Sequence, residues 1–318
     1  MPGQEVVLGI DIGGTNTVAA LVDREGNTLF NCELPTSSEQ PAAHLFRTIY
    51  DAISSELTGV QLRGVGIGAP NANYFLGTIE HPPNLKWDYV DLRQEVQLYT
   101  TVPVGVTNDA NAAALGELLF GVGRGMKNFV QITLGTGLGS GIILNGELYS
   151  GSHGYAGEIG HTIVESGGRL CGCGRRGCLE TYVSAPALVA NAREQMQHHP
   201  ESKLYQLDVK TITARDVYTA AQSVDAAALA AFEETGSRLG LALSNTVAHF
   251  DPEAFVLFGG VALAGEYLLE PVRRHLESNL MTAYRGKVKV LLSALPGAAA
   301  AVLGAAALGW QEVDRSGG

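Results

Sequence analysis

Short apolar runs alternate with glycine-rich or polar turns along the first third of the chain. The runs EVVLGID (5–11), TVAALVD and NTLFNCEL are separated by such turns and predict three strands. Apolar positions at helical spacing predict a helix over 40–57. GVGIGAP (64–70) predicts a buried strand ending at proline, and VPVGVTND (102–109) predicts another. A helix of small residues ending in glycine is expected over 110–121.

The opening pattern returns after residue 127. With an offset of 122, FVQITLGTGLGSGIILNGELY can be laid over VVLGIDIGGTNTVAALVDREGNTL, so that Asp11 meets Thr133 and Gly13 meets Gly135. Both segments predict strand, glycine-rich turn, strand, short turn and strand. Internal repetition of this kind indicates two related α/β domains, although an alignment of about 20 residues can also arise by chance.

The remainder of the second half predicts fewer strands and more helix. Residues 150–183 are polar and irregular, whereas 184–249 have a helical pattern that stops at Asp251-Pro252. FVLFGG (255–260) and VKVLLSAL (288–295) predict strands. The small-residue helix GAAAAVLGAAALGW must pack closely against a neighbour.

Composition excludes several classes of protein. The 318 residues include 40 glycines without a three-residue period, which excludes a collagen and indicates many turns. The net charge of −11 argues against nucleic-acid or anionic-membrane partners. The chain has no apolar stretch of about 18 residues and no signal-peptide pattern at its start, so we expect a cytoplasmic protein without a membrane span.

Two glycine-rich turns are candidate phosphate sites. DIGGTNT places Asp11 at a strand end, where it can hold Mg²⁺ directly or through water. Its glycines can aim backbone N–H groups at a phosphate, and a threonine can bond a phosphate oxygen. TLGTGLGSG (133–141) continues as a strand, which disfavours a dinucleotide-binding turn. The pair would form two jaws of a phosphate clamp; a hairpin without a ligand is the alternative for the first turn.

The sequence NDANAAA (108–114) joins a strand to a helix. Its aspartate, Asp109, has two open interpretations. It either caps the helix or acts as a general base aimed at a substrate hydroxyl.

The segment GEIGHTIVESGGRLCGCGRRGCLE (157–180) supplies one imidazole and three thiols, the donor set of closed structural zinc sites. The candidate ligands are His161, Cys171, Cys173 and Cys178. Reduced free thiols are the alternative, and the distant Cys32 is expected to be an ordinary half-buried residue. Glu158 and Glu180 would be fixed by such a metal and would suit sugar hydroxyls; solvated loop acids are the alternative.

In this order, IDIGGTN, NDANAAALGE, GEIGH followed by CGCGRRGCLE, and FGGV resemble the ROK family of repressors, open reading frames and sugar kinases. The resemblance covers essentially the whole chain, and the cysteine segment is its most specific part. Within that family, the run at 68–87 is most similar to bacterial glucokinases.

The resemblance implies an α/β, actin-like ATPase (ribonuclease H-like) fold, with two domains and a cleft between them for a hexose and ATP. We expect the domains at 1–117 with a C-terminal helix at 298–318, and at 118–297. By resemblance, Asp109 is the catalytic base for the 6-hydroxyl of the sugar. The expected sugar-binding residues are Gly68, Asn108, Asp109, Glu158, His161 and Glu180. The expected nucleotide-binding residues are Asp11, Gly13, Gly14, Thr15, Thr133, Gly135, Thr136, Gly137, Gly259 and Gly260.

The expected function is ATP-dependent phosphorylation of a hexose, foremost glucose to glucose 6-phosphate, with Mg²⁺ and a structural Zn²⁺. A homodimer or higher homo-oligomer is implied by the resemblance alone. Alternatives are a kinase for N-acetylglucosamine, mannose or fructose, a sugar-sensing regulator without catalysis, and an actin-like scaffold ATPase. Repressor members carry an N-terminal helix-turn-helix, for which the strand predicted near residue 5 leaves no room, so a regulator is not expected.

Overall fold

The computed structural model describes residues 3–37, 39–82, 85–297 and 299–317. Among these residues, no helix is both long and apolar enough to cross a membrane. The strands are β1 Gln4–Ile12, β2 Asn16–Val22, β3 Thr28–Pro35, β4 Val60–Gly68, β5 Ala72–Asn73, β6 Thr78–Glu80, β7 Tyr89–Asp91, β8 Val104–Thr107, β9 Phe129–Leu134, β10 Leu138–Leu144, β11 Glu147–Leu148, β12 Ala254–Phe258 and β13 Lys289–Leu292. The α-helices are α1 Ala42–Ile53, α2 Leu92–Gln97, α3 Asp109–Leu119, α4 Glu180–Val183, α5 Ala185–Met196, α6 Ala214–Gln222, α7 Ala226–Phe250, α8 Glu266–Asn279 and α9 Ala300–Ser316.

The chain divides into two compact units. Unit 1 consists of Met1–Met126, Gly141–Gly157 and Ala294–Gly318, and unit 2 of Lys127–Ser140 and Glu158–Ser293. The domain boundaries expected from the sequence stay a prediction.

The sheet of unit 1 has the strand order β3-β2-β1-β4-β8. Its first strands pair antiparallel, whereas β1, β4 and β8 run parallel to one another. Successive residues of β1 point to opposite faces. Leu8 and Ile10 pack in the same core cluster as α1, and Val7 packs with α9. Because helices cover both faces, the strand is an unbroken apolar run.

The second sheet has the order β11-β10-β9-β12-β13, which repeats the strand order of the first. Shifted by 122 residues, the bounds of β2 coincide with those of β10, and the end of β1 coincides with the end of β9. The predicted repeat of strand, turn, strand, turn and strand is confirmed on both sides. The shared strand order supports internal duplication over chance similarity.

The predicted helices over 40–57 and 110–121 are confirmed, with ends that differ by a few residues. The small sheet β5-β6-β7 and the helices α2 and α8 were not predicted. Strands of two or three residues show no periodicity that a sequence pattern can reveal. Helix α8 did carry a signal, because its buried Leu268, Leu269, Val272 and Leu276 have helical spacing.

Helix α9 packs directly on the backbone of the first sheet, as its small residues predicted. A Cβ on Gly66 would lie 1.8 Å from the carbonyl oxygen of Ala305, so only glycine permits this approach. Gly64 meets the same helix, with its Cβ position 2.9 Å from the oxygen of Gly309. These two glycines of β4 therefore set the depth at which α9 lies on the sheet.

Replacing Gly66 by alanine is expected to lower the free energy of unfolding by about 3 kcal/mol or more, because the methyl group would force α9 off the sheet. Urea denaturation followed by circular dichroism measures the change. Gly297→Ala is the matched control, since a Cβ there meets nothing within 4 Å. Equal midpoints for the two variants would contradict the proposed packing constraint.

Candidate functional site

Two aspartates of unit 1 lie at the carboxyl ends of β1 and β8, the parallel strands on either side of β4. In the ladder, Asp11 pairs with Gly68, and Gly68 pairs with Thr107, two residues before Asp109. A Cβ on Gly68 would lie 3.7 Å from Oδ1 of Asp11 and 4.0 Å from Cα of Asp109. The absence of a side chain at Gly68 therefore keeps space beside both acids, and the carboxyl edge of parallel strands is where ligands bind in α/β sheets.

The pair is electrostatically coupled. Burial, and secondly the negative charge of Asp109, raise the pKa of Asp11 from 3.8 to about 6. Each effect disfavours the ionised carboxylate. A divalent cation beside Asp11 would favour its charged form, so this position suits Mg²⁺, which prefers carboxylate oxygens.

The turn from β8 into α3 shows which residue caps the helix. Asn108 is the N-cap, because its side chain accepts a hydrogen bond of 2.7 Å from the backbone N–H of Asn111. Asp109 is the first helical residue, it is exposed, and its Oδ1 accepts from the N–H of Ala110 at 2.8 Å. Since Asn108 caps the helix, Asp109 is not needed for that role.

The first glycine-rich turn is the hairpin between β1 and β2, directly after Asp11. The N–H of Gly13 donates to the oxygen of Asn16 at 3.0 Å. Gly14 is half-buried and Thr15 is exposed. The turn is therefore a hairpin, as one interpretation expected, and it also lies next to the acidic pair, where a phosphate site was predicted.

The second glycine-rich turn, between β9 and β10, lies beside the turn that follows β12. Phe258 pairs with Thr133 across parallel strands, so both turns begin at the same sheet edge. The Oγ1 of Thr133 accepts from the side-chain amide of Gln131 at 2.8 Å. A Cβ on Gly135 or on Gly260 would meet nothing within 4 Å, and Thr136 is exposed. The N–H of Gly135 donates to the oxygen of Gly137 at 3.0 Å, and the free space at Gly135 and Gly260 leaves room for a ligand beside the backbone.

Gly259 joins these two turns. Its φ of +97° lies in the region that favours glycine, and a Cβ there would lie 2.5 Å from the oxygen of Leu134. The N–H of Val261 donates to that same oxygen at 3.2 Å. The paired glycines therefore close the turn after β12 onto the end of β9.

The structure brings the predicted metal ligands together. One donor atom from each of His161, Cys171, Cys173 and Cys178 lies within 4.8 Å of all the others. The Sγ of Cys171 is 3.6 Å from Nδ1 of His161, and the Sγ atoms of Cys173 and Cys178 are 3.7 Å apart. A tetrahedral zinc site with thiolate bonds of about 2.3 Å requires about 3.8 Å between sulfurs.

The thiols of this cluster differ in acidity. Hydrogen bonds from the backbone and side chain of Arg175 lower the pKa of Cys173 to about 6, whereas burial raises that of Cys171 to about 12. Cys32 lies in β3, is not one of the four clustered donors, and is half-buried, as expected.

Both predicted glutamates lie at the cluster. Oε2 of Glu158 is 4.0 Å from Nε2 of His161, the ring nitrogen turned away from Cys171. Glu180 begins α4, with Oε1 3.5 Å from Sγ of Cys171 and Oε2 accepting from the N–H of Leu138 at 3.1 Å. The irregular segment therefore presents two carboxylates held close to one side-chain cluster.

Sequence reasoning missed the residues that fasten this segment to the helices. Arg169 donates to the oxygen of Thr181 at 2.8 Å and to Oδ1 of Asn191 at 2.7 Å. The guanidinium groups of Arg169 and Arg238 lie 4.7 and 5.0 Å from the ring centre of Tyr182, as cation–π contacts. No sequence period connects these three residues, so only the tertiary structure reveals them.

The chain is similar to known proteins over most of its length. The sequence model described as "ROK family" matches residues 7–312. A glucokinase of Halalkalibacterium halodurans is 40% identical over 281 residues, which are 85% of this chain and 85% of that protein. The crystal structure of a ROK family glucokinase from Streptomyces griseus, in complex with glucose and AMPPNP, is 37% identical with a TM-score of 0.78; the match covers 96% of this chain and 99% of that one.

A regulator is also structurally similar. A ROK family transcriptional regulator, a homolog of the E.coli MLC protein, is 27% identical with a TM-score of 0.87. The match covers 98% of this chain and 78% of the regulator.

The raised pKa of Asp11 predicts a pH-dependent effect of removing its charge. Because the native pKa is about 6 and the ordinary value 3.8, the native state binds more protons than the unfolded state between these values. The wild-type contribution of Asp11 to stability is thus full below about pH 4 and lost as the pH rises through 6. Relative to wild type, Asp11→Asn is expected to gain up to about 3 kcal/mol between pH 4 and pH 7.5.

Denaturant unfolding at both pH values, without divalent cations, measures this difference. Asp51→Asn is the control, because Asp51 has an exposed side chain in α1. A stability difference between Asp11→Asn and wild type that does not change with pH would contradict the coupled acidic pair.

Proposed function

The chain belongs to the ROK family and has the actin-like ATPase fold, and on this premise we propose that it is an ATP-dependent glucokinase. The observation that carries this proposal is the pair Asp11 and Asp109, which lies on either side of Gly68 at the carboxyl edge of the sheet. Burial and the neighbouring charge raise the pKa of Asp11, and Asp109 is exposed at a helix start. The glucokinase relatives support glucose as the hexose, and the neighbour holding AMPPNP supports ATP as the donor.

Asp109 is proposed as the catalytic base. As the sugar O6 attacks the γ-phosphorus, Asp109 accepts the hydroxyl proton, and the bond from that phosphorus to the bridging oxygen of ADP breaks. The hydrogen bond from Ala110 to Oδ1 fixes the carboxylate in one orientation. Phosphoryl transfer depends mainly on positioning, so one oriented carboxylate is sufficient.

The glycine-rich turns are proposed to hold the nucleotide. Gly13, Gly14 and Thr15 would bond one phosphate group, and the open turn at Thr133, Gly135, Thr136 and Gly137 another. Gly259 and Gly260 would adjoin the nucleotide. Asp11 is proposed to hold Mg²⁺, which supplies positive charge to the phosphate oxygens.

The cysteine cluster fits a structural zinc ion, because four N and S donors form a closed set at tetrahedral spacing. The ion would supply a covalent-strength crosslink for a segment with little regular structure. Asn108, Glu158, His161 and Glu180 are proposed to bind the sugar hydroxyls, with Gly68 leaving room. A cytoplasmic homo-oligomer stays an expectation from the family resemblance.

Asp109→Asn is expected to lower kcat by about 10²–10⁴-fold, because the amide cannot accept the proton although it keeps the side-chain shape. A coupled assay of glucose 6-phosphate formation measures kcat, and titration calorimetry measures glucose affinity, which should change little. Asp88→Asn, an exposed acid of the same unit, is the control. Near-normal turnover in Asp109→Asn would refute the catalytic role.

One tightly bound zinc per chain is expected by elemental analysis. Cys178→Ser should lose most of this zinc and unfold at a lower temperature, because structural zinc contributes directly to folding. Cys32→Ser is the matched control, since Cys32 lies outside the cluster. Wild-type protein without zinc, or equal zinc in both variants, would exclude this structural role.

The coupled assay, repeated with a panel of hexoses, tests which sugar is the substrate. We expect the highest kcat/KM with glucose, and lower values with mannose, fructose and N-acetylglucosamine. Preference for another hexose would replace glucose as the substrate. A chain that binds glucose without sugar-dependent ATP turnover would be a sugar-sensing regulator.

A further inference from the structure

The metal segment and the second glycine-rich turn are fastened together within unit 2. The N–H of Ala185 donates to the oxygen of Gly135 at 2.8 Å, and the N–H of Ile159 donates to Oγ of Ser140 at 3.3 Å. A Cβ on Gly160 would lie 2.5 Å from the oxygen of Leu138. The turn therefore rests on residues before and after the cysteines.

Glu180 makes a further contact, and it does so with its charged group. Its Oε2 accepts the N–H of Leu138 at 3.1 Å, and a Cβ on Gly137 would lie 2.4 Å from that same oxygen. The carboxylate thus occupies the space that any side chain at 137 would need. A hydrogen bond from a backbone N–H to a carboxylate is stronger than one between neutral groups.

Glu180 lies next to the cysteine cluster both along the chain and in space. The residue begins α4 two positions after Cys178, and its Oε1 lies 3.5 Å from Sγ of Cys171. The N–H of Leu179 donates to the oxygen of Thr162 at 2.9 Å, which ties the preceding residue to the chain beside His161. Leu179, which precedes Glu180, therefore lies between the candidate ligands Cys178 and His161 along this path, and loss of the ion would release both.

We propose that Glu180 is a positioning residue that couples the zinc cluster to the glycine-rich turn at 133–138. Zinc fixes the carboxylate, and the carboxylate fixes the N–H of Leu138 and the backbone at Gly137. This role is additional to a sugar contact. It rests on the proposed function, because that function assigns this turn to the nucleotide phosphates.

The coupling has a thermodynamic consequence. If zinc favours the geometry of the turn that binds phosphate, zinc raises nucleotide affinity, and nucleotide raises zinc affinity by the same factor. Both effects should disappear when the carboxylate is removed.

Amide hydrogen exchange at Leu138 tests the link without any nucleotide or sugar. In the zinc-loaded protein, Glu180→Ala is expected to accelerate exchange of this amide about tenfold, the factor for losing one such hydrogen bond. Glu180→Gln should restore protection, because the amide oxygen still accepts. Wild-type exchange in Glu180→Ala would overturn the proposal whether or not the chain is a kinase.

Gly137→Ala probes the same contact from the turn. Its methyl group should displace the Glu180 carboxylate and accelerate Leu138 exchange while zinc is retained. Gly135→Ala is the matched variant, because its Cβ meets nothing within 4 Å, and its Leu138 exchange should equal that of wild type. Equal exchange in the two variants would overturn the proposed contact.

Nucleotide affinity tests the coupling. A non-hydrolysable ATP analogue with Mg²⁺ is titrated, without sugar, into zinc-loaded and zinc-stripped protein. We expect zinc removal to weaken binding at least about fivefold in wild type. Glu180→Ala should bind weakly with or without zinc. If stripped wild type does not fold, zinc-loaded Gly137→Ala should show the weakened binding.

The outcomes separate the two proposals. If every form of the protein bound the analogue equally tightly, the coupling would be overturned and the kinase assignment would stand. The same conclusion would follow if zinc removal weakened analogue binding in Glu180→Ala as much as in wild type. No analogue binding in any form would overturn the kinase assignment together with the coupling. A Glu180 that acted only in folding would not give rescue of Leu138 protection by Glu180→Gln.

Discussion

The central strands β1 and β9 are buried on both faces, and the rest of the structure depends on this constraint. Val6, Val7, Leu8 and Ile10 are fully buried, so this stretch of β1 has no place for an unpaired charge. Charged side chains and glycine-rich turns therefore concentrate where strands end. At the carboxyl edge of the first sheet this gives the acidic pair, and at the second it gives two glycine-rich turns.

The irregular segment at 150–183 is ordered in a different way. It has little regular structure, so backbone ladders and an apolar core contribute little to its order. Side-chain contacts contribute instead: the guanidinium groups of Arg169 and Arg238 stack on Tyr182, and four His and Cys donors meet within 4.8 Å of one another. Because Glu180 also holds Leu138, the order imposed on this segment extends to a turn that sequence alone treats as separate.

Patterns of neighbouring residues predicted those elements whose formation depends on neighbouring residues. The strands around Asp11 and the repeat after residue 127 follow from apolar runs bounded by turns, and the shared strand order bears them out. The cluster of one histidine and three cysteines was predictable because this donor set is chemically distinctive. Helix α8 was missed although its apolar residues have a recognisable helical spacing. Strands of two or three residues, in contrast, are too short to show any period.

The sequence by itself determined which chemistry the chain carries: a strand-end acid, a second acid at a helix start, glycine-rich turns and a cysteine–histidine set. Only the tertiary structure decided which of these groups act on one another. It shows that Asn108 caps α3, that Asp109 raises the pKa of Asp11, and that Glu180 reaches Leu138. The reason is that burial and electrostatic coupling depend on distances through space, whereas a sequence pattern records only separations along the chain.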